Sequence, residues 1–278
     1  MSSPSGLPPL DIPGLLRKYG LRPNKRLGQN FLVEPAALQQ VVAAAGILPQ
    51  DEILEIGPGL GSLTRLLAQS ARRVVAVELD ENLLPPLQEA LAPFQNVIIV
   101  PGDILGIDPA EWMETGGYLV VANIPYYITS AVIRHLLEAR QKPQRIVLTV
   151  QREVAERIVA GPRDLSLLAL SVQVYGEPRI LAHIPAGAFY PPPKIDSAVV
   201  RVDLYEEPRI PEGQLDLFFR LAKAGFSQKR KTLRNALAAG MHWEKEQAAG
   251  ILKQAGIDPM QRAETLNLEE WKELVSAV

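Results

Sequence analysis

The residues most suited to chemistry are an amide, a proline and an aromatic ring near the middle of the chain. Asn123, Ile124, Pro125 and Tyr126 directly follow the apolar segment 118–122. The Asn123 side-chain oxygen and the Ile124 carbonyl could hold both N–H groups of an aromatic amine, which would free the nitrogen lone pair to attack a methyl group. Pro125 fixes the backbone, and Tyr126 offers a flat face to an extruded base. The alternative is a proline-containing turn with a half-buried tyrosine.

A glycine-rich turn and two acids predict a nucleoside pocket. The stretch "EIGPGLG" places Gly57, Gly59 and Gly61 after an apolar run, where the backbone can approach a ligand closely and the next helix offers its amides. Glu78 follows Gly57 by 21 residues, which suits the ribose hydroxyls, and Asp103 could accept from an adenine amino group. Each acid alone could equally be a helix N-cap. Together they predict S-adenosylmethionine, and the GxGxG spacing disfavours a nicotinamide enzyme.

Strands and helices alternate through the first two-thirds of the chain. Apolar, β-branched runs predict strands over 52–57, 73–79, 97–103, 118–124 and 145–151. Helical patterns lie between or after them at 62–70, 80–92, 129–140, 152–160 and 165–175. This order is typical of a parallel sheet covered by helices. Two more strands, 178–184 and 195–204, are joined by a link too short for a crossover helix. We therefore expect a Rossmann-like α/β sheet, mostly parallel, with its last strand antiparallel.

A polar, proline-containing segment at 205–213 marks the predicted domain boundary. The preceding domain, 1–205, includes an N-terminal arm, 1–34, and should carry the methyltransferase chemistry. The rest, 206–278, should form a small all-α domain that docks RNA. Its helices are predicted over 214–224, 228–238, 244–254 and 268–276, the last beginning at the N-cap pattern "NLEE" of Asn267–Glu270.

Composition excludes several kinds of site. The 278 residues are 47% hydrophobic and 22% charged, which allows a sizeable core. There is no cysteine, so disulfides, thiolate metal sites and a cysteine nucleophile are excluded. The three histidines are far apart, and we expect no metal site. Without a signal peptide or an apolar stretch of roughly 18 residues, a soluble, cytoplasmic chain is expected.

The net charge of −2 hides two basic clusters. Segments 17–26 and 220–234 contain five and six basic residues, respectively, and no acidic ones. Such clusters can be solvated faces, but two of them beside a catalytic domain favour contacts with phosphate. The residues predicted to bind RNA are Arg22, Lys25, Arg26, Lys229, Arg230, Lys231 and Arg234. In the predicted helix over 228–238, Leu233 and Leu237 should face inward.

Five stretches carry a resemblance to known methyltransferases. "NIPY" resembles the N-x-P-Y signature of amino-methyltransferases that act on adenine. The stretches "KRLGQNFL" (25–32), "FYPPPKIDSAVV" (189–200) and "FSQKRKTLRNAL" with "RAETLNLEE" (226–237 and 262–270) resemble bacterial small-subunit ribosomal RNA adenine dimethyltransferases. This resemblance implies S-adenosylmethionine-dependent N6-dimethylation of two adjacent adenines in small-subunit ribosomal RNA. The expected partner is small-subunit ribosomal RNA within the assembling small subunit. Nothing in the sequence demands more than a monomer, so a monomer is expected.

The resemblance also implies roles for individual residues. The implied cofactor-binding residues are Gln29, Asn30, Leu32, Gly57, Gly59, Glu78, Asp103 and Asn123. Phe189 would face Tyr126 across the target base, although an ordinary core phenylalanine is the alternative. Tyr127 departs from the family, where asparagine is frequent, and this change could affect the second methylation.

Two alternatives share much of this pattern. A large-subunit ribosomal RNA adenine methyltransferase of the macrolide-resistance type would have a similar pocket. The "FYPPPKIDS" stretch and the C-terminal segment favour the small-subunit enzyme instead. A non-catalytic ribosome assembly factor could use the same fold, but the intact N-x-P-Y stretch disfavours it.

Overall fold

The described part of the chain comprises residues 7–114, 116–124 and 128–278 of a computed structural model. Its strands are β1 (Phe31–Leu32), β2 (Glu52–Ile56), β3 (Arg73–Glu78), β4 (Val97–Pro101), β5 (Leu119–Asn123), β6 (Arg145–Gln151), β7 (Gly176–Ile184), β8 (Phe189–Tyr190) and β9 (Ser197–Leu204). Its helices are α1 (Ile12–Lys18), α2 (Pro35–Ala45), α3 (Ser62–Ser70), α4 (Leu84–Leu91), α5 (Thr129–Leu137), α6 (Arg152–Val159), α7 (Leu167–Gln173), α8 (Leu215–Phe226), α9 (Leu233–Met241), α10 (Lys245–Gln254) and α11 (Leu268–Ser276).

The chain divides into two compact units. The first contains the residues up to Ala155 together with Arg179–Leu204, and the second contains Glu156–Pro178 together with Tyr205–Val278. The sequence-based division at 205/206 remains a prediction about domains. It did not group the segment 156–178 with the C-terminal helices.

Within the described residues, seven strands form one sheet in the order β4-β3-β2-β5-β6-β9-β7. Strands β2 to β6 pair in parallel, and β9 is antiparallel to β6, with Asp203 opposite Arg145. Strand β2 is buried throughout, as expected for a parallel strand covered on both faces. The predicted Rossmann-like sheet with an antiparallel last strand is confirmed.

Parallel pairing places the predicted site residues at one edge of the sheet. The glycine-rich turn follows β2, Glu78 ends β3, Asp103 follows β4 and Asn123 ends β5. Since β2, β3, β4 and β5 run in the same direction, these residues meet at the carboxyl edge of the sheet. Ligands of open α/β sheets bind at this edge.

The N-terminal arm attaches to the first unit in two ways. One is a hydrophobic cluster in which arm residues pack against the glycine-rich turn and the segment after β3. The cluster contains Ile12, Leu16, Phe31, Leu60 and Leu83. Strand β1 also pairs with β8, so that Leu32 lies opposite Phe189. Beyond this pair, the Val33 and Glu34 amides both donate to the Ala188 carbonyl.

The second unit packs its helices through small residues. A Cβ atom added at Gly240 of α9 would lie 2.5 Å from the Ala224 Cβ of α8, so the two helices approach closely at a glycine. Trp271 of α11 is fully buried and stacks on Phe226 at 5.8 Å between ring centroids. Helix α11 begins with a capping box between Asn267 and Glu270, which confirms the predicted start.

The helix predicted over 228–238 is wrong at its start, because α9 begins at Leu233. Helix α8 ends at Phe226, and the chain must reverse direction before α9 can pack against it. Lys231 donates its amide to the Gln228 carbonyl over 2.9 Å in this turn. Thr232 is extended and serves as the N-cap. The basic residues 229–231 therefore lie in a turn and not on a helix.

Among the described helices, none combines the length and the hydrophobicity needed to cross a lipid bilayer.

Candidate active site

The predicted cofactor residues meet in one cavity at the carboxyl edge of the sheet. The cavity has a volume of about 120 Å³, and its walls come from the arm, the glycine-rich turn and the ends of β3, β4 and β5. All eight predicted cofactor residues line it: Gln29, Asn30, Leu32, Gly57, Gly59, Glu78, Asp103 and Asn123.

The glycine-rich turn needs glycine for conformation and for space. Gly57 and Gly59 have φ angles of 70° and 60°, in the left-handed region that side chains disfavour. A Cβ atom at Gly59 would lie 2.9 Å from Cδ1 of Phe31, so a side chain here would push the arm away. Ser62 begins α3 directly after the turn and lines the cavity, so the positive end of the helix borders the site.

Glu78 is a buried acceptor that is held from two sides. Its side chain is 6% exposed, and its carboxylate accepts from the amides of Gly59 at 2.9 Å and Asp80 at 2.8 Å. Burial raises the pKa of Glu78, whereas these two hydrogen bonds lower it. A carboxylate can accept about four hydrogen bonds. The remaining lone pairs can therefore accept from a ligand's hydroxyl groups.

Asp103 combines a local structural contact with ligand-binding capacity. Its Oδ1 atom accepts from the Leu105 amide at 3.0 Å and caps the short 3-10 turn Ile104–Gly106. The side chain is exposed at the cavity wall. One carboxylate oxygen thus forms the N-cap that the sequence analysis gave as the alternative role of Asp103. The other oxygen can accept a hydrogen bond from a ligand.

The orientation of the Asn123 amide is fixed by the arm. Its Nδ2 atom donates to the Asn30 carbonyl over 3.0 Å. Because the nitrogen is engaged with the arm, the Oδ1 atom is the group left to accept a hydrogen bond in the cavity. The Asn30 side chain in turn donates to the Gly28 carbonyl at 3.0 Å. The acceptor predicted for an aromatic amine is therefore available.

Phe189 lies in the hydrophobic core. It is 3% exposed and packs in a cluster that also contains Leu32 and Val41. It does not line the cavity. Pro125, Tyr126 and Tyr127 lie outside the described residues, so the aromatic pair across a target base stays a prediction.

Glu55 is a cavity residue that sequence reasoning missed. It is 1% exposed, and burial raises its pKa to about 8. Its Oε2 atom has no hydrogen-bond partner within the described residues, and the side chain lines the cavity. The available signal was an acid inside the otherwise apolar run that precedes the glycine-rich turn.

The predicted RNA-binding cations are mostly exposed. Arg22, Lys25 and Arg26 are exposed on the arm. In the second unit, the exposed cations are Lys229, Arg230 and Lys231, whereas Arg234 is half-buried. In ranges 7–114, 116–124 and 128–278, no group of three or more histidine, aspartate and glutamate side chains is arranged to hold a metal ion.

Comparisons with known proteins give a consistent result. A family model described as ribosomal RNA adenine dimethylase matches residues 20–274. A relative from Dehalococcoides mccartyi, ribosomal RNA small subunit methyltransferase A, is 47% identical over 94% of this chain and 90% of its own length. A relative of the same name from Alkaliphilus metalliredigens is 40% identical over 97% of this chain and 96% of its own.

Two solved structures are similar over most of the chain. A dimethyladenosine transferase from Plasmodium falciparum has a TM-score of 0.76 at 24% identity, which covers 88% of this chain and 95% of that one and shows a shared fold. The 23S rRNA methyltransferase ErmE has a TM-score of 0.72 at 27% identity, which covers 89% of this chain and 99% of that one.

Proposed function

Because the chain belongs to the ribosomal RNA adenine dimethylase family, we propose that its cavity serves S-adenosylmethionine-dependent N6-dimethylation of two adjacent adenines in small-subunit ribosomal RNA. The observation that carries this proposal is the convergence of eight predicted residues, Asn123 among them, on one cavity. The enzyme is an adenine methyltransferase.

The cavity fits S-adenosylmethionine by its donor and acceptor chemistry. Glu78 keeps lone pairs for the ribose hydroxyls, and Asp103 keeps one oxygen for the adenine amino group. The Oε2 atom of buried Glu55, which has no hydrogen-bond partner within the described residues, can accept a hydrogen bond from the cofactor. Gly59 leaves the space that a Cβ would fill. When bound, the cofactor supplies an electrophilic methyl group on its sulfonium sulfur.

Asn123 acts on the target amine. An adenine amino nitrogen is a weak nucleophile because its lone pair is delocalised into the ring. The Asn123 Oδ1 atom accepts one N–H and favours a pyramidal nitrogen with a free lone pair. Because the Nδ2 atom donates to the Asn30 carbonyl, the amide cannot turn over and present its NH₂ group to the target amine. No side chain has to remove a proton first, because the nitrogen becomes more acidic as it is methylated.

Pro125, Tyr126 and Phe189 complete the target site in this proposal. Pro125 holds the backbone after Asn123, and Tyr126 stacks on the extruded adenine. Phe189 sits in the core opposite Leu32 of β1, so we assign it a supporting role behind the base rather than a direct cavity contact.

The exposed cations bind the RNA backbone. Arg22, Lys25 and Arg26 form one set on the arm, and Lys229, Arg230 and Lys231 form the other in the turn before α9. Cations in a turn reach phosphates without entering the core. We propose that the partner is small-subunit RNA within an assembling subunit, that the enzyme is a monomer, and that the reaction takes place in the cytoplasm.

The test is transfer of a labelled methyl group to isolated ribosomal subunits. Small subunits that lack the modification should accept label, and nucleoside analysis should yield N6,N6-dimethyladenosine. Label on large subunits alone would favour the 23S-type activity, whose solved structure shares this fold. Binding to small subunits without transfer would indicate a non-catalytic assembly factor.

A further inference from the structure

Gln29 uses both ends of its side chain to hold the arm. Its Nε2 atom donates to Oδ2 of Asp80 over 2.7 Å, and its Oε1 atom accepts from the Asn24 amide at 2.7 Å. Residues 29 and 80 are far apart in the chain, so the first of these bonds ties the arm to the loop after β3. We call the hydrogen-bonded pair of Gln29 and Asp80 the clasp. Each end of the Gln29 side chain thus makes one hydrogen bond to the protein.

Asp80 is the rigid half of the clasp. It is 9% exposed, and its own amide donates to the Glu78 carboxylate at 2.8 Å. Its Oδ1 atom accepts from the Asn82 amide at 3.2 Å and from the Asn82 side chain at 2.8 Å. One oxygen is thus occupied by Asn82 and the other by Gln29. Only a carboxylate can accept at both positions.

The clasp lies one residue from the group that fixes the catalytic amide. Gln29 directly precedes Asn30, whose carbonyl accepts from Nδ2 of Asn123 at 3.0 Å. A continuous path therefore links Glu78, Asp80, Gln29, Asn30 and Asn123. If the Asn30 carbonyl moves, the Asn123 amide can rotate by half a turn and present its nitrogen to the target amine, where two donors repel.

We propose that Gln29 and Asp80 are positioning residues for methyl transfer. The clasp sets the place of the Asn30 carbonyl and thereby the orientation of the Asn123 amide. Neither residue touches the reacting atoms. This inference rests on the proposed function and gives Gln29 a positioning role instead of the cofactor-binding role that the family resemblance implies. The arm keeps its hydrophobic cluster and its pairing with β8 without the clasp, so the fold should survive its loss.

A reciprocal exchange tests the clasp. In Asp80→Asn, the new NH₂ group must face a donor, either that of Gln29 or those of Asn82. In Gln29→Glu, two carboxylates face each other. In the double variant Gln29→Glu/Asp80→Asn, the amide at position 80 donates to the carboxylate at position 29. The Asn24 and Asn82 donors keep their acceptors, and the net charge matches the wild type. Gln29→Met removes the clasp without adding charge.

The expected result is a selective loss of turnover. Each single variant should lower kcat by about tenfold or more, as expected when a buried polar group is deprived of its hydrogen-bond partner, while KM for S-adenosylmethionine changes by less than about threefold. The double variant should recover kcat to within about threefold of wild type. In the ligand-free protein, the NMR signals of the Asn123 side-chain NH₂, identified by their loss in Asn123→Asp, should shift in Gln29→Met and return in the double variant.

Several outcomes would overturn the clasp. Single variants with wild-type kcat would do so, as would a double variant no better than the worse single one. A rise in KM with unchanged kcat would make Gln29 a cofactor-binding residue instead. If thermal melting shows that Gln29→Glu does not fold, the kcat of Gln29→Met and its Asn123 NMR signals still test the clasp. Wild-type protein that transfers no methyl group would refute the proposed function and this inference with it, whereas active wild type with insensitive variants refutes the clasp alone.

Discussion

Replacing Glu55 with glutamine should make the stability of the protein less dependent on pH. Glu55 is 1% exposed inside β2, and burial raises its pKa from 4.5 to about 8. The folded protein therefore retains a proton on this carboxyl group at pH values where the unfolded chain has released it. Glutamine has nearly the same shape and no proton to release.

The sign and size of the effect follow from this difference in pKa. Below about pH 4.5, both states are protonated and the full stability is present. As the pH rises towards 8, the unfolded state is favoured by about 1.4 kcal/mol per pH unit. Above the folded-state pKa the loss is complete, on the order of 5 kcal/mol. Between pH 5 and pH 7.5, wild type should therefore lose about 3 kcal/mol relative to Glu55→Gln.

Urea denaturation of the ligand-free protein at several pH values measures this effect. The exposed Glu111→Gln variant is the control for removal of one negative charge. The difference in unfolding free energy between Glu55→Gln and wild type should grow steadily from pH 5 to pH 8, while that of the control stays flat. Parallel curves for wild type and Glu55→Gln would refute the reasoning, because they would mean that the Glu55 carboxyl ionises equally easily in both states.

Further predictions concern the cavity residues and the binding of ribosomal RNA. Asn123→Ala should reduce cofactor affinity, measured by calorimetry, only modestly but cut methyl transfer at least about a hundredfold. Turnover within about threefold of wild type would contradict its role. Glu78→Ala should weaken cofactor binding by roughly 1–3 kcal/mol and also lower Tm, because it unpairs the Gly59 and Asp80 amides. Asp103→Ala should weaken binding with little change in Tm, so unchanged affinity in both variants would exclude the nucleoside pocket. Replacing Lys229, Arg230 and Lys231 with glutamine should weaken binding to the small subunit. The slope of log affinity against log salt concentration should fall by up to about 0.9 for each phosphate that is no longer neutralised. The control Lys245→Gln/Lys253→Gln, which changes two other exposed cations, should bind like wild type.

Local patterns in the sequence were sufficient to predict the sheet and most of the cavity. Alternation of apolar runs and helical periods depends on neighbouring residues, so β2, β3, β5 and β6 lie where the pattern predicted them. Acids placed directly after apolar runs necessarily meet at one edge when the strands are parallel. The capping box of α11 is likewise a contact between residues three apart.

Long-range packing decided the rest. Helix α9 begins at Leu233 because α8 and α9 pack together and the intervening residues must turn, which a pattern of basic and apolar residues does not reveal. Phe189 is in the core because β8 pairs with the distant β1.

The chemistry of single polar groups also depended on distant partners. Glu55 has a raised pKa because surrounding elements exclude water from it, and Gln29 holds the arm because folding brings it to Asp80. The sequence determined that Glu78, Asp103 and Asn123 reach one cavity, since the ends of parallel strands converge at one edge of the sheet. Only the tertiary structure decided what each of those side chains contacts, because hydrogen bonding and desolvation are set by atoms that are remote in the chain.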